Sequence, residues 1–297
     1  MTRRSVSLVI MVAAGVAATS ACLTVDPFFF NGRPVESFDF DADPPDPDLE
    51  GELEPAHPSR VPPESRVEGL IDLGDREVHY VYAHRPDAAA TVLFSHGTTW
   101  HLGRYWERAE ALWERGLNVM IYDYPGYGRS TGEPAEAELF ENAAAVLELM
   151  PTLPDYTPDR LALYGYSLGG APTYELAARG VRGEVPRADA VISEAAFCSS
   201  EAMVQDGTFI DMPATFLTNN QFDNCARIAE IGEIPVMIIH GGADSFVVPR
   251  HAEMLEAAAA GEVTVHVVPG AEHSYCAREG GEEYWRWIVD FAAGTPP

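Results

Sequence analysis

The stretch LALYGYSLGGAP, residues 161–172, decides how the chain is read. An apolar run, Leu161 to Tyr164, is followed by a serine set between glycines: Gly165-Tyr166-Ser167-Leu168-Gly169-Gly170. The apolar run reads as a strand and LGGAPTYELAARG as a helix, so the serine falls on the turn between them. Side chains at the end of such a strand project from the carboxyl edge of the sheet, where open α/β sheets bind ligands. A sharp turn there strains the serine backbone and needs small neighbours two residues before and two after. Gly165 and Gly169 stand at those positions. The alternative is a plain Gly-Ser turn.

A serine hydroxyl is a weak nucleophile, so a catalytic reading requires a base and an acid that orients it. Both are expected in loops that follow later strands. After IPVMIIHG comes Gly242-Ala243-Asp244-Ser245, and after VTVHVV comes Pro269-Gly270-Ala271-Glu272-His273-Ser274. The chain order Ser167, Asp244, His273 suits a nucleophile on a strand-to-helix turn. Other histidines fit less well: His266 lies in a strand, His251 on a helix and His57 in an acidic segment. A solvated loop residue is the bland reading of His273, and a turn-forming or helix-capping residue that of Asp244. The rival acid is Glu194, at the end of the preceding strand.

Acyl transfer also needs two N–H donors for an oxyanion. Leu168, directly after the serine, supplies one. The loop Ser95-His96-Gly97-Thr98-Thr99 after the first central strand supplies the other, the N–H of Thr98, with Gly97 permitting close approach of the backbone. His96 reads as a structural residue under that loop. Tyr166 and Trp100 are candidates for pocket wall or for core.

Outward from this stretch, apolar runs alternate with helical patterns from about Arg66 onward, which predicts a mainly parallel sheet covered by helices. Strands are expected at REVHYVYAHR, TVLFSH, LNVMIYDY, DRLALYGY, ADAVIS, IPVMIIHG and VTVHVV. Helices are expected over 104–115, over a segment carrying Leu139 to Met150 on one face, over 251–260, and at the C-terminus around Tyr284 to Phe291. There is no internal repeat.

The 297 residues, 46% hydrophobic and 22% charged, suffice for one large domain or two small ones. A formal net charge of -27 argues against a nucleic-acid partner. Much of the acid sits between Asp26 and Glu64, a Pro-rich stretch without periodicity. It reads as a disordered, extended spacer, the alternative being an irregular coat on the domain. Before it stand Arg3-Arg4, an apolar run SVSLVIMVAAGVAA and Thr19-Ser20-Ala21-Cys22, the pattern of an export signal. The small residues before Cys22 resemble the lipobox of bacterial lipoproteins, with Thr19 where that motif usually has Leu. That resemblance implies a lipid on Cys22 and anchoring in a bacterial cell envelope; an ordinary secretory signal is the alternative. With Cys22 so used, Cys198, Cys225 and Cys276 remain, and three pairings are open. Cys198 and Cys225 flank one short insertion and are the pair expected. No Cys/His spacing suggests zinc, and no organic cofactor is implied.

Taken together, the HG pair, YDYPGYGRSTGEPAE, GYSLGG, HGGADSFVVP and PGAEHSY resemble the α/β-hydrolase superfamily, in its Bem46-like branch and close to the serine aminopeptidase-type hydrolases. Thr98 stands where that branch often has Asn, a change that leaves the backbone N–H in place. The resemblance implies an α/β fold with a mostly parallel central sheet flanked by helices on both faces. The expected organisation is a signal at 1–21, an acidic tether at 22–65 and a hydrolase domain at 66–297, with a short lid at 194–233, too short for a large cap. The activity implied is hydrolysis of small-molecule carboxylic esters or thioesters through an acyl-enzyme. Two alternatives stand beside it: a peptidase or amidase of the serine aminopeptidase type, and a non-catalytic binding lipoprotein on a hydrolase scaffold.

Overall fold

The runs that read as apolar on both faces form the inner strands of one sheet. The computed structural model describes residues 29–42, 57–157, 159–207 and 220–295. Its main sheet contains β2 (Arg66–Asp72), β3 (Glu77–Ala83), β4 (Thr91–Ser95), β6 (Asn118–Tyr122), β7 (Leu161–Tyr166), β8 (Ala190–Glu194), β9 (Val236–Gly241) and β10 (Val263–Val268). The spatial order is β10-β9-β8-β7-β4-β6-β3-β2. Neighbours from β10 to β6 are parallel, while β2 and β3 pair antiparallel at one edge. Every residue of β4, β6, β7, β8 and β9 is buried, as expected of strands covered on both faces. Edge strand β2 instead alternates between half-buried and exposed positions, and its weak apolar content hides it from a reading of hydrophobic runs.

Helices cover both faces. Helix α1 (Trp106–Glu114) and α7 (Cys276–Ala293) close one core around Phe94, Tyr164 and Ile239. On the other side α2 (Glu136–Leu149), α3 (Gly170–Arg182), α5 (Asn224–Ile231) and α6 (Arg250–Ala258) close a second core around Leu93, Leu163 and Ile238. The alternation Leu163 and Tyr164, Ile238 and Ile239 is the period-two pleat sending successive side chains to opposite layers. Of the insertion at 194–233 the structure describes 194–207 and 220–233, including α4 (Ser200–Gly207) and α5. The Cys198–Cys225 disulfide ties its two ends, as expected, and Cys276 is a buried free thiol.

The expectation of an extended spacer is corrected for residues 29–42 and 57–65. They lie on the domain, with Phe29, Phe40 and Val61 buried. Strand β1 (Asn31–Gly32) pairs in parallel with β5 (Thr99–Trp100), and Pro34 bridges to Gly128. The Ser59 hydroxyl and the Arg60 N–H both donate to buried Glu110, at 2.7 Å each. The charge and proline content suggested solvation, but each phenylalanine buried here contributes roughly 1.5–3 kcal/mol, enough to hold an irregular segment down. The expected export signal and Cys22 lie outside the described residues. No helix among the described residues is long and apolar enough to cross a membrane.

Candidate active site

Parallel pairing puts the ends of β4, β7, β9 and β10 on one edge of the sheet, so the loops that follow them meet. Ser95 pairs with Gly165, and Gly165 with Ser193, which aligns the turn after β7 with its neighbours. Ser167 opens a short 3-10 turn, Ser167–Gly169, that leads directly into α3. Its φ is +53°, a left-handed conformation that a serine adopts only where the surroundings hold it. The flanking glycines make this packing feasible. A Cβ on Gly169 would lie 1.9 Å from the Ser95 carbonyl oxygen, and one on Gly165 would lie 2.3 Å from the Gly169 carbonyl oxygen.

The structure brings the three sequence candidates together. His273 Nε2 lies 2.9 Å from Ser167 Oγ, and His273 Nδ1 lies 2.7 Å from Asp244 Oδ2. A carboxylate only accepts, so Nδ1 carries the proton and Nε2 is left to accept from the serine hydroxyl. Asp244 is buried, and its other oxygen, Oδ1, accepts from the N–H groups of Phe246 and Val247 at 2.9 Å each. The geometry fits the turn-forming reading of Asp244 and leaves room for the other: one oxygen holds the loop and the other faces the imidazole.

Glu194 serves elsewhere. It is fully buried and accepts from Arg108 at 2.7 Å and from the Tyr284 hydroxyl at 2.7 Å, with the Tyr164 hydroxyl also donating. Burial, and then the Glu194 charge, push both tyrosine hydroxyls well above their ordinary range. This cluster pins α1 and α7 to the sheet beneath the site.

Thr98 and Leu168 line one cleft with Ser167. The Thr98 loop is held on several sides. Its hydroxyl donates to the Phe29 carbonyl, and its own carbonyl accepts from Asn31 N–H at 3.2 Å and from the Tyr127 hydroxyl at 3.0 Å. Gly97 is needed here, because a Cβ would lie 2.7 Å from the Tyr105 hydroxyl and 3.0 Å from the Tyr166 ring. His96 is the structural residue expected. It stacks between Tyr105 and Tyr124, its Nδ1 donates to the Gly97 carbonyl at 2.7 Å, and burial pushes its pKa down to about 4. It is neutral at pH 7 and unsuited to act as a second base.

Two pockets meet at Ser167. The smaller is walled by Phe29, Phe197, Met203, Phe246 and Val247. The larger is bordered by Tyr105, Tyr166, Phe246, His273 and Ser274. Tyr166 is thus a pocket wall, its hydroxyl 2.9 Å from Ser274 Oγ. Trp100 lines neither pocket; the guanidinium groups of Arg33 and Arg104 lie over its ring, at 5.0 and 5.5 Å. The sequence reading missed Phe29, Phe197, Met203 and Phe246. A signal for the first existed in the triplet Phe28-Phe29-Phe30, out of character with the acidic stretch around it.

Comparison with known proteins agrees with this architecture. The serine aminopeptidase (S33) family model matches residues 86–222. The uncharacterized protein YfhR of Escherichia coli K12 is 30% identical over 208 residues, which cover 69% of this chain and 70% of that protein. The alpha/beta hydrolase domain-containing protein 17C of Xenopus tropicalis is 33% identical over 165 residues, covering 54% of this chain and 49% of that one. An esterase of Pyrococcus furiosus shares the fold at 18% identity, with a TM-score of 0.62 over 76% of this chain and 89% of its own. With its parallel sheet, its serine on the turn after β7 and these relatives, the chain belongs to the α/β-hydrolase superfamily.

Proposed function

We propose that the protein is a serine hydrolase that cleaves carboxylic esters or thioesters through an acyl-enzyme on Ser167. The observation that carries this reading is the continuous hydrogen-bonded path from Ser167 Oγ through His273 to Asp244. His273 Nε2 takes the serine proton as Oγ attacks the substrate carbonyl. The N–H groups of Thr98 and Leu168 hold the tetrahedral oxyanion. His273 then protonates the departing oxygen or sulfur, and a water activated by the same imidazole releases the acid. Asp244 keeps the imidazole in the productive tautomer and stabilises its charged form.

Ester cleavage is favoured over aminopeptidase chemistry by the pocket walls. An aminopeptidase has to meet the α-ammonium of its substrate with negative charge, and among the described residues lining the two pockets none is acidic. The test is a panel of p-nitrophenyl esters, thioesters and matched aminoacyl p-nitroanilides, run with a Ser167→Ala control. The expected result is ester turnover that the control lacks. Turnover confined to the anilides would replace this reading with the peptidase one.

We further propose export and lipid anchoring through Cys22 in a bacterial envelope, on the strength of the N-terminal pattern alone. From Cys22 to Phe29 the chain reaches at most about 25 Å, so an anchored enzyme would work close to its membrane. Mass spectrometry of the native N-terminus tests this; an unmodified start at another residue would contradict it.

A further inference from the structure

We propose that the arm upstream of the hydrolase domain is part of the substrate site, and that Phe29 sets the length of acyl group the enzyme accepts. The inference rests on the ester reading above and takes it one step further, to the division of the substrate between the two pockets. The leaving oxygen has to come within reach of His273 Nε2, which gives it its proton. His273 borders the larger pocket and not the smaller one. The leaving alcohol therefore occupies the larger pocket, which Thr99, Tyr105, Tyr166 and Ser274 border with a more polar wall. The acyl chain occupies the smaller pocket, whose walls are apolar and which also contains Thr98 and Leu168, the oxyanion donors.

Phe29 is a fixed wall of that acyl pocket. Its ring centroid lies 6.0 Å from that of Phe197 and 5.5 Å from that of Phe222, both tilted contacts within the core. Its backbone carbonyl accepts from the Thr98 hydroxyl, and two residues on the arm begins its parallel pairing with Thr99 and Trp100. The same segment thus closes the acyl pocket and braces the loop that carries an oxyanion donor. A ring held in this way does not yield to a long chain, so the acyl group is short and aliphatic, of acetyl to butyryl size. The alcohol is the bulkier and more polar partner.

The experiment uses the detergent-solubilised full chain, wild type beside Phe29→Ala and Phe29→Val. It measures kcat/KM for p-nitrophenyl acetate, butyrate and octanoate, together with the rate of labelling by a small alkyl fluorophosphonate. Wild type is expected to favour the two short esters. Phe29→Ala is expected to raise the octanoate-to-acetate ratio on the order of tenfold, the scale on which pocket size discriminates methylene groups. An unchanged ratio in a variant that still labels at Ser167 would overturn the role of Phe29 and leave the ester reading intact. A wild-type protein that neither labels nor turns over any ester would overturn the ester reading itself. If Phe29→Ala fails to fold, Phe29→Val, which trims the ring and keeps a β-branched side chain on the arm, decides the matter by the same ratio.

Discussion

Asp244 divides its two carboxylate oxygens between structure and chemistry: Oδ1 accepts from two backbone N–H groups of its own loop, and Oδ2 faces His273 Nδ1 at 2.7 Å. The division separates two substitutions. Asp244→Asn keeps an oxygen for the loop but offers the imidazole an amide, which favours the wrong tautomer. It should lower kcat about 10⁴-fold with little change in Tm. Asp244→Ala should slow the chemistry as well and also leave two N–H groups unpaired, costing about 1–3 kcal/mol. Steady-state kinetics and thermal melts on both variants check the pair of outcomes. Equal Tm losses would show that Oδ1 does not hold the loop.

Glu194 should behave in the opposite way. Its charge is buried against Arg108 and two tyrosine hydroxyls, away from His273. Glu194→Gln removes the carboxylate that meets the buried Arg108 guanidinium, and breaking such a buried pair costs about 3–5 kcal/mol. The folded fraction should keep its labelling rate at Ser167. Urea titration combined with labelling measures both quantities, and a stable but unreactive variant would make Glu194 the orienting acid after all.

The turn at Ser167 should tolerate no side chain at position 169. A Cβ there meets backbone on a neighbouring strand, which cannot swing aside as a side-chain end can. Gly169→Ala should cost about 3 kcal/mol or more and disturb the serine. By contrast Gly183→Ala, at the end of α3 with open space around it and a φ of +77°, should cost about 1 kcal/mol. Comparable melting temperatures for the two variants would count against the strained turn.

Stability should fall as the medium is acidified from pH 6.5 towards 4. Burial pushes the pKa values of His96 and His251 down to about 4 in the folded chain. In the unfolded chain both take up protons near pH 6.5. Their contribution is complete above 6.5 and is lost as the pH falls through that window, for His96 by about 3 kcal/mol. His79 works the other way. Burial opposes its charge, but hydrogen bonds to Asp123 and Glu68 prevail and raise its pKa, so its contribution is present at low pH and lost as the pH rises. Urea midpoints at pH 7.5 and 5.0 check the net sign; a midpoint that rises on acidification would mean that the groups with raised pKa, His79 and Glu136, outweigh the histidines with lowered ones.

The inner sheet and the three site residues were legible because each leaves a local mark. Strands buried on both faces read as unbroken apolar runs, and Ser167 and Asp244 each follow such a run on a glycine-bearing turn; His273 follows the alternating edge strand β10. Edge strand β2 left a weak mark, since one of its faces meets solvent. The two-residue pairing of Asn31–Gly32 with Thr99–Trp100 left none, since its register is set by tertiary packing. The pocket walls were hidden for a related reason. Phe29, Phe197 and Phe246 come from three distant segments, and only the fold shows that they enclose one space. Composition misled most at residues 29–42, where the acidic and proline residues outnumbered the few aromatic side chains that decide where the segment lies.

The central claim is that Ser167 is an activated nucleophile. Its most direct test is exposure of the folded full chain to a fluorophosphonate, followed by peptide mass spectrometry, with Ser167→Ala and His273→Ala in parallel. A single adduct on Ser167 is expected, absent from the first variant and much slower to form in the second. A folded wild-type protein that forms no adduct, or one that labels at another serine, would contradict it.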